Sequence, residues 1–596
     1  MSQSSTTSAS AEPTKPLPLP FVDRTDDYDG ECAEYHARTR REQRMCALLN
    51  AVRDKPNWAR KWRDAEIRAK LTAEMKEAAA ATSWPVPVVG RFRRVDSYAS
   101  DDDEDEVMDD DEQRDRILEG PMPDADFAYV LKELDWEAEN QPMLAGTDGV
   151  FALDEAVPKD VLTALVQQVH GLLENVPDHR KDWHPRSNNQ VLDLVHPSLY
   201  PLVYGRTRVL DAPMLNLDDW RKFISGGAPK PAGSYTDKIF RQYMFLSEQF
   251  QWLPSDFAVD GEGKVAIKSY INNLHPEWHA ALYPTLARVF ECALPLLERV
   301  LGQVATPTPM RIDPDPYEWY DSYDEDDTEN NQYASWDDWY ENRVPNLPDP
   351  ADEFDVAGHS FVPYSLRGRT LKVITKLANI HLTPSNPTYP GGSWHIEGML
   401  NEAIVATALY YYDVDNITES HLEFRTGVKP PEYDQSDDHG ISFAYALYRD
   451  GPLVQPWGHI SARQGRMVAF PNMYQHHVAP FELADKSREG HRKIVAFFLV
   501  DPSSPIGEEV VSTSRVPPQQ ADWIADAWAK DGQFPLAAGQ QLPREMIDAV
   551  VKKIDGAMTL DEAKELRLEL MDERTSAVGE IEELAYSGAT YNLCEH

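Results

Sequence analysis

The sequence predicts an α+β protein, with a double-stranded β-helix (jelly-roll) core wrapped by helical N-terminal and C-terminal elements. Three observations lead there. Between about 355 and 505, short alternating runs rich in β-branched residues recur with Pro- and Gly-rich turns between them, the pattern of a sandwich or barrel. On either side, apolar residues recur at helical spacing. Finally, His395-Ile396-Glu397 is followed 79 positions after Glu397 by His476, and sixteen further on by Arg492. Such a set becomes one site only if strands distant in the chain lie side by side, as they do in a jelly roll.

Taken in order, residues 1–20 are Ser/Thr/Pro-rich and read as a disordered tail. Residues 21–95 form an N-terminal helical segment, with helices expected over 32–53 and 62–81 and a break at Pro56. Residues 96–118 read as an acidic disordered linker: ten of the twelve residues from Asp101 to Glu112 are acids, whose mutual repulsion opposes compaction. The 119–350 stretch is expected to be mostly helical and to pack on the core. Its clearest helices are 158–175, with Val161, Leu162, Leu165, Val166 and Val169 on one stripe, and the apolar run 277–301.

The core is expected over 351–510, with strands at 369–382, 393–397, 402–413, 421–425, 441–448 and 465–471. A loop with three prolines and two glycines separates the first two. A C-terminal helical extension, 511–596, is expected to hold helices at 519–530 and 543–578. No internal repeat is visible.

Two imidazoles and one carboxylate are the ligand set that holds Fe(II) on one face and leaves the other open. On a strand, a His-x-Glu pair projects both side chains to the same side. His395, Glu397 and His476 are therefore the candidate metal ligands. His477 falls on the opposite strand face. His381, His421, His439, His459 and His491 read as surface or satisfied histidines. Alternation directs one or two of Tyr410, Tyr411 and Tyr412 inward, and Trp394 either flanks a pocket or fills the core.

The segments Phe470-Pro-Asn-Met-Tyr-Gln-His-His-Val-Ala-Pro480 and Gly490-His-Arg-Lys-Ile-Val-Ala-Phe-Phe-Leu-Val-Asp-Pro502 make the reading more specific. His-x-Val-x-Pro, a loop, then Gly-x-Arg opening an apolar strand resembles the end of the iron(II)/2-oxoglutarate-dependent dioxygenase core. The resemblance implies that His476 is the third iron ligand and that Arg492 binds the far carboxylate of 2-oxoglutarate. An Arg suits that role because its planar fork makes a bidentate, always-charged contact. Lys493, on the opposite face of a regular strand, is the weaker candidate. The superfamily most often has Asp where this chain has Glu397, one methylene longer. Fe(II) and 2-oxoglutarate are thus the implied cofactors, with hydroxylation of an unidentified small-molecule or protein substrate as the expected outcome. The alternatives are a cupin-like metal enzyme that does not use 2-oxoglutarate, and a non-catalytic scaffold.

Asp193 to Arg206, Phe250 to Asp256, Ser269 to Pro276 and Gln475 to Pro502 together resemble an uncharacterised fungal domain-of-unknown-function family of large cytosolic proteins. The resemblance spans roughly residues 30 to 510 and implies no substrate.

Composition narrows the setting. A net charge of −42 repels nucleic acid and anionic membranes. Four cysteines (Cys32, Cys46, Cys292, Cys594), none in a CxxC, suggest neither a zinc ribbon nor a disulfide framework. No apolar run approaches the ~20 residues that span a bilayer, and the N-terminus lacks a secretory h-region. A cytoplasmic protein is expected; the sequence leaves its oligomeric state open.

Overall fold

The computed structural model describes residues 17–19, 35–81, 120–231 except 215 and 225, 246–323, 333–531 except 436, 449 and 450, and 542–581. The acidic segment 96–118, most of a second acidic run at 321–329, the 1–16 stretch, Cys32 and Cys594 lie outside these residues.

Two sheets organise the chain. The strands of the larger are β2 (Phe151–Leu153), β3 (Val191–Val195), β4 (Ser255–Val259), β5 (Val265–Ile267), β6 (Thr370–Leu382), β7 (Ile404–Asp415), β10 (Met467–Pro471) and β12 (Gly490–Val500). Their order is β2-β10-β7-β12-β6-β4-β5, with β3 also paired to β6, and every pairing is antiparallel. The smaller sheet holds β1 (Tyr35–His36), β8 (His421–Lys429), β9 (Val454–Ser461) and β11 (Gln475–Val478), with β8 at its centre. The fold is mixed α+β as expected, with large antiparallel sheets, and among the described residues these do not close into a barrel.

Strand alternation assigns each face a task. On β12, Phe497 turns outward against Phe290 of the helix Leu282–Ala305, ring centroids 5.2 Å apart. That helix is almost entirely apolar on its buried side and covers the outer face of the larger sheet. The even-numbered residues of the same strand face the other way, toward the smaller sheet. The two inner faces meet in one hydrophobic core, where Phe424 of β8 packs edge-on to Phe470 of β10.

The N-terminal helices Arg40–Arg53, Trp58–Trp62 and Ala65–Ala79 pack with Asp124–Asn140 around a core of their own. Thr39 and Asp64 cap two of them by accepting from backbone N–H groups of the first turn. Buried Arg53 and Arg311 tie this layer to Glu133 and Asp148. Tyr474, one residue before β11, donates to the Asp148 carbonyl at 2.9 Å, so the helical layer also braces the strand carrying His476.

Several expectations are corrected. Residues 119–350 contribute β2, β3, β4 and β5 to the larger sheet rather than only helices packed on it. Residues 441–448 are no strand: Asp438–Tyr445 is a helix, started by the Asp437 side chain accepting from Gly440 N–H. Residues 393–397 are no strand either. His395 makes a single bridge to His476, and the chain then bends through Gly398 at φ 74°. A side chain is strained there, and a Cβ would stand 2.8 Å from Ile404 Cδ1. Among the described residues no helix is long and apolar enough to cross a membrane.

Candidate metal centre

A cavity of about 790 Å³ lies between the inner faces of the two sheets, within the range usual for small-molecule sites. Its floor follows from register. Ile380 of β6 stands opposite Arg492 of β12, Ala378 opposite Ile494, and Lys376 opposite Ala496. On β7, Tyr411 stands opposite Ile494 and Leu409 opposite Ala496. All of these residues line the cavity. Of the three tyrosines, Tyr411 is the one on the cavity lining, and Trp394 flanks it. The C-terminal helix Leu560–Ile581 supplies a further wall through Met571, Arg574 and Val578, a part that wrapping alone would not give it.

His395, Glu397 and His476 converge on this cavity, as their order along the chain anticipates. Ligand atoms of the three lie within 4.8 Å of one another. Glu397 Oε1 is 3.8 Å from His395 Nε2 and 3.6 Å from His476 Nε2. Backbone geometry holds them. His395 and His476 exchange N–H···O bonds of 3.1 and 2.9 Å across the bridge. Asn472 clamps Glu397 by accepting from its N–H at 2.9 Å and donating to its carbonyl at 2.8 Å.

Protonation suits a metal. The Ser393 carbonyl accepts from His395 Nδ1 at 2.8 Å, so the proton sits there and Nε2 keeps its lone pair toward Glu397. Burial pushes the His395 imidazole down to about 4, with the His476 ring adding to the effect. Burial alone would raise the Glu397 carboxyl; the imidazoles of His476 and His395 outweigh it and hold it at about 2. Two imidazoles and one carboxylate form a donor set that suits Fe(II) among divalent ions.

Arg492 is buried in the same cavity. Its Nη1 donates to Ser420 Oγ at 2.7 Å, and its guanidinium lies 5.5 and 5.4 Å from the Tyr411 and Phe481 rings. Nε has no acceptor, and no carboxylate pairs with this cation among the described residues. Lys493 points the other way, to Glu174 and Asp413 at 3.1 Å each. His477 turns from the centre to Glu423 at 2.8 Å and stacks beside Trp394. His491 meets Asp413 at 3.0 Å, outside the site.

Sequence reasoning missed two features. His184, Asp193 and His196 form a second cluster, of which the two histidines line the cavity. They come from a loop and the edge strand β3, with no pattern in the chain to announce them. Lys376 also lines the cavity. Its one signal was a lysine at an even position of a strand whose even neighbours Ala378 and Ile380 are apolar.

Comparison with known proteins adds the family and little else. No curated protein matches this sequence. Solved structures give weak likenesses to dioxygenases. The Fe(II)/(alpha)ketoglutarate-dependent dioxygenase TqaL is 14% identical, with 58% of this chain and 92% of that one covered and a TM-score of 0.19. EvdO2 from Micromonospora carbonacea var. aurantiaca, complexed with 2-oxoglutarate, is 10% identical over 24% of this chain and 58% of that one, TM-score 0.12. IDO from Bacillus thuringiensis is 13% identical over 23% of this chain, TM-score 0.13, and the match spans 48% of its length. At such TM-scores the likeness carries no functional weight. The family models are decisive: "Domain of unknown function DUF4246, N-terminal" matches residues 5–74, and "Protein of unknown function (DUF4246)" matches 124–527. The chain belongs to the DUF4246 family.

Proposed function

We propose that this protein is an Fe(II)/2-oxoglutarate-dependent oxygenase built on a double-stranded β-helix core, hydroxylating a small-molecule or protein substrate in the cytoplasm. One observation carries the proposal. Three metal-ligand side chains and a buried arginine without a counter-charge open into the same cavity. A buried guanidinium lacking a carboxylate is costly unless an anion completes it. The distal carboxylate of 2-oxoglutarate would do so with the bidentate geometry Arg favours.

His395, Glu397 and His476 would hold the ion from one side, leaving its cavity side for co-substrate and oxygen. The bound iron and co-substrate supply the oxidising chemistry. The chain's own part is to fix and orient. Asn472 holds Glu397, the Ser393 carbonyl sets the His395 tautomer, Ser420 aims Arg492, and the apolar floor keeps water from the reacting face. A cupin-like enzyme without 2-oxoglutarate leaves the burial of Arg492 unexplained.

The test is conversion of 2-oxoglutarate to succinate by aerobic protein with Fe(II) and ascorbate. Succinate should form with the wild type and stay at background with His476→Ala. Equal background rates for both would defeat the proposal.

A further inference from the structure

We propose that the cavity holds a second anion site, centred on Lys376, which selects a substrate bearing one carboxylate on an apolar body. This deepens the oxygenase reading and rests on it.

The argument begins with an unpaired charge. Lys376 lines the cavity, and among the described residues it has neither hydrogen bond nor ion pair. The other cations there have partners or a proposed one. Arg574 donates to Glu402 Oε1 at 2.7 Å and lies over the Trp252 ring. Arg567, behind the wall, pairs with Asp182 at 2.7 Å and approaches Asp193 at 3.7 Å. Arg492 is assigned to the co-substrate. With a divalent ion, Glu397, doubly charged 2-oxoglutarate and Arg492, the charges at the metal centre cancel. The Asp193 carboxylate is taken up by His184 at 2.8 Å and by Arg567. Lys376, partly buried in the cavity lining, is left with a positive charge that no acidic side chain takes up among the described residues.

The two cations stand at different places on the cavity floor. Lys376 stands opposite Ala496, and Arg492 opposite Ile380. Four residues along a strand separate the two positions by roughly 13 Å. Lys376 lines the same cavity as His395, Glu397 and His476 of the metal centre and as His184 and His196. An anion held by it therefore lies in the cavity onto which the metal centre opens. The surrounding walls are apolar: Leu409, Ala496, Phe498, Trp252 and Met571, with Trp252 stacked on Phe498 at 5.9 Å. A ligand with a carboxylate head and a hydrocarbon or aryl body matches this lining.

Decanoate and its neutral analogue 1-decanol are suitable probes, titrated calorimetrically into protein loaded with Zn(II) and 2-oxoglutarate so that no turnover occurs. Decanoate should bind at least about tenfold tighter than decanol, a charge-assisted contact being worth that much. Lys376→Met should erase the preference, and Lys376→Arg should keep it. Equal affinity for both probes, or a preference that survives Lys376→Met, would overturn the proposal. If the preference depends on Lys376 but 2-oxoglutarate fails to bind, the anion site stands and the oxygenase reading falls.

Discussion

Two clusters of histidine and carboxylate border one cavity, and they differ in where their protons sit. In the His395, Glu397 and His476 group, the donor atoms stand 3.6 and 3.8 Å apart, beyond hydrogen-bond distance. Donors each about 2.1 Å from a shared ion stand roughly 3.0–3.5 Å apart, so small side-chain shifts suffice to close on one. The His395 proton sits on Nδ1, which donates it to the Ser393 carbonyl, away from the centre. In the His184, Asp193 and His196 group, a proton fills the gap instead. His184 Nδ1 and Asp193 Oδ2 are 2.8 Å apart, and His196 Nδ1 accepts from Ser198 N–H, which leaves the His196 proton on Nε2. No hydrogen bond joins the three side chains of the first cluster, whereas one joins His184 to Asp193 in the second and leaves Asp193 Oδ1 without a partner. Residue types alone do not distinguish them. The hydrogen bond between His184 and Asp193 does.

This contrast can be broken most forcefully at the ligands. His476→Ala should weaken Co(II) binding by roughly two orders of magnitude or more, while Asp193→Asn leaves one tight site per chain. Two sites in the wild type by equilibrium dialysis would mean that the second cluster also takes metal. Arg492→Ala should come next. Metal affinity should hold, and the Kd for 2-oxoglutarate should rise roughly 10- to 100-fold, the worth of a charged bidentate contact. An unchanged Kd would move the co-substrate elsewhere in the cavity.

Asn472→Ala should cost about tenfold in metal affinity through loss of the Glu397 clamp, and should also lower Tm, because the Glu397 N–H and the Glu397 and Ile404 carbonyls lose a buried partner. A collapse of Tm with intact affinity would make Asn472 purely structural. The smallest effect concerns pH. Burial lowers His196 to about 3, against which Asp193 acts only partly. The unfolded chain therefore binds the His196 proton below its ordinary pKa near 6.5 while the folded chain does not. Stability should fall as pH drops from about 6.5 toward 3. His196→Asn should flatten that fall by about 1 kcal/mol per pH unit in urea melts between pH 6 and 4. Identical slopes would show His196 protonated in the folded state.

How far the chain could be read depended on what each feature needs. Residue types and their order were enough to bring His395, Glu397, His476 and Arg492 into one cavity, because strand parity and the pairing of β11 with β8 do the rest. The parity argument also correctly sent Lys493 and His477 away. It worked for His395 and Glu397 through a bridge and a bend rather than a strand, since Gly398 interrupts the ladder. Ile441 to Tyr448 misled because its apolar residues fit both periods, and the deciding signal was the Asp437 cap. The strands β2, β4 and β5 are three to five residues long, too short to register as patterns. The His184 cluster was illegible although its members all lie within residues 184–196, because only Asp193 sits on a regular element and no strand or helix period marks the three.

The most direct measurement is an anaerobic titration of Fe(II) and 2-oxoglutarate, followed by the weak visible charge-transfer band of their chelate. One equivalent of each should generate the band in wild type and in Asp193→Asn. His476→Ala should show none, and Arg492→Ala should require much more 2-oxoglutarate. No band in the wild type, or a band lost only in Asp193→Asn, would contradict the assignment of the metal centre to His395, Glu397 and His476.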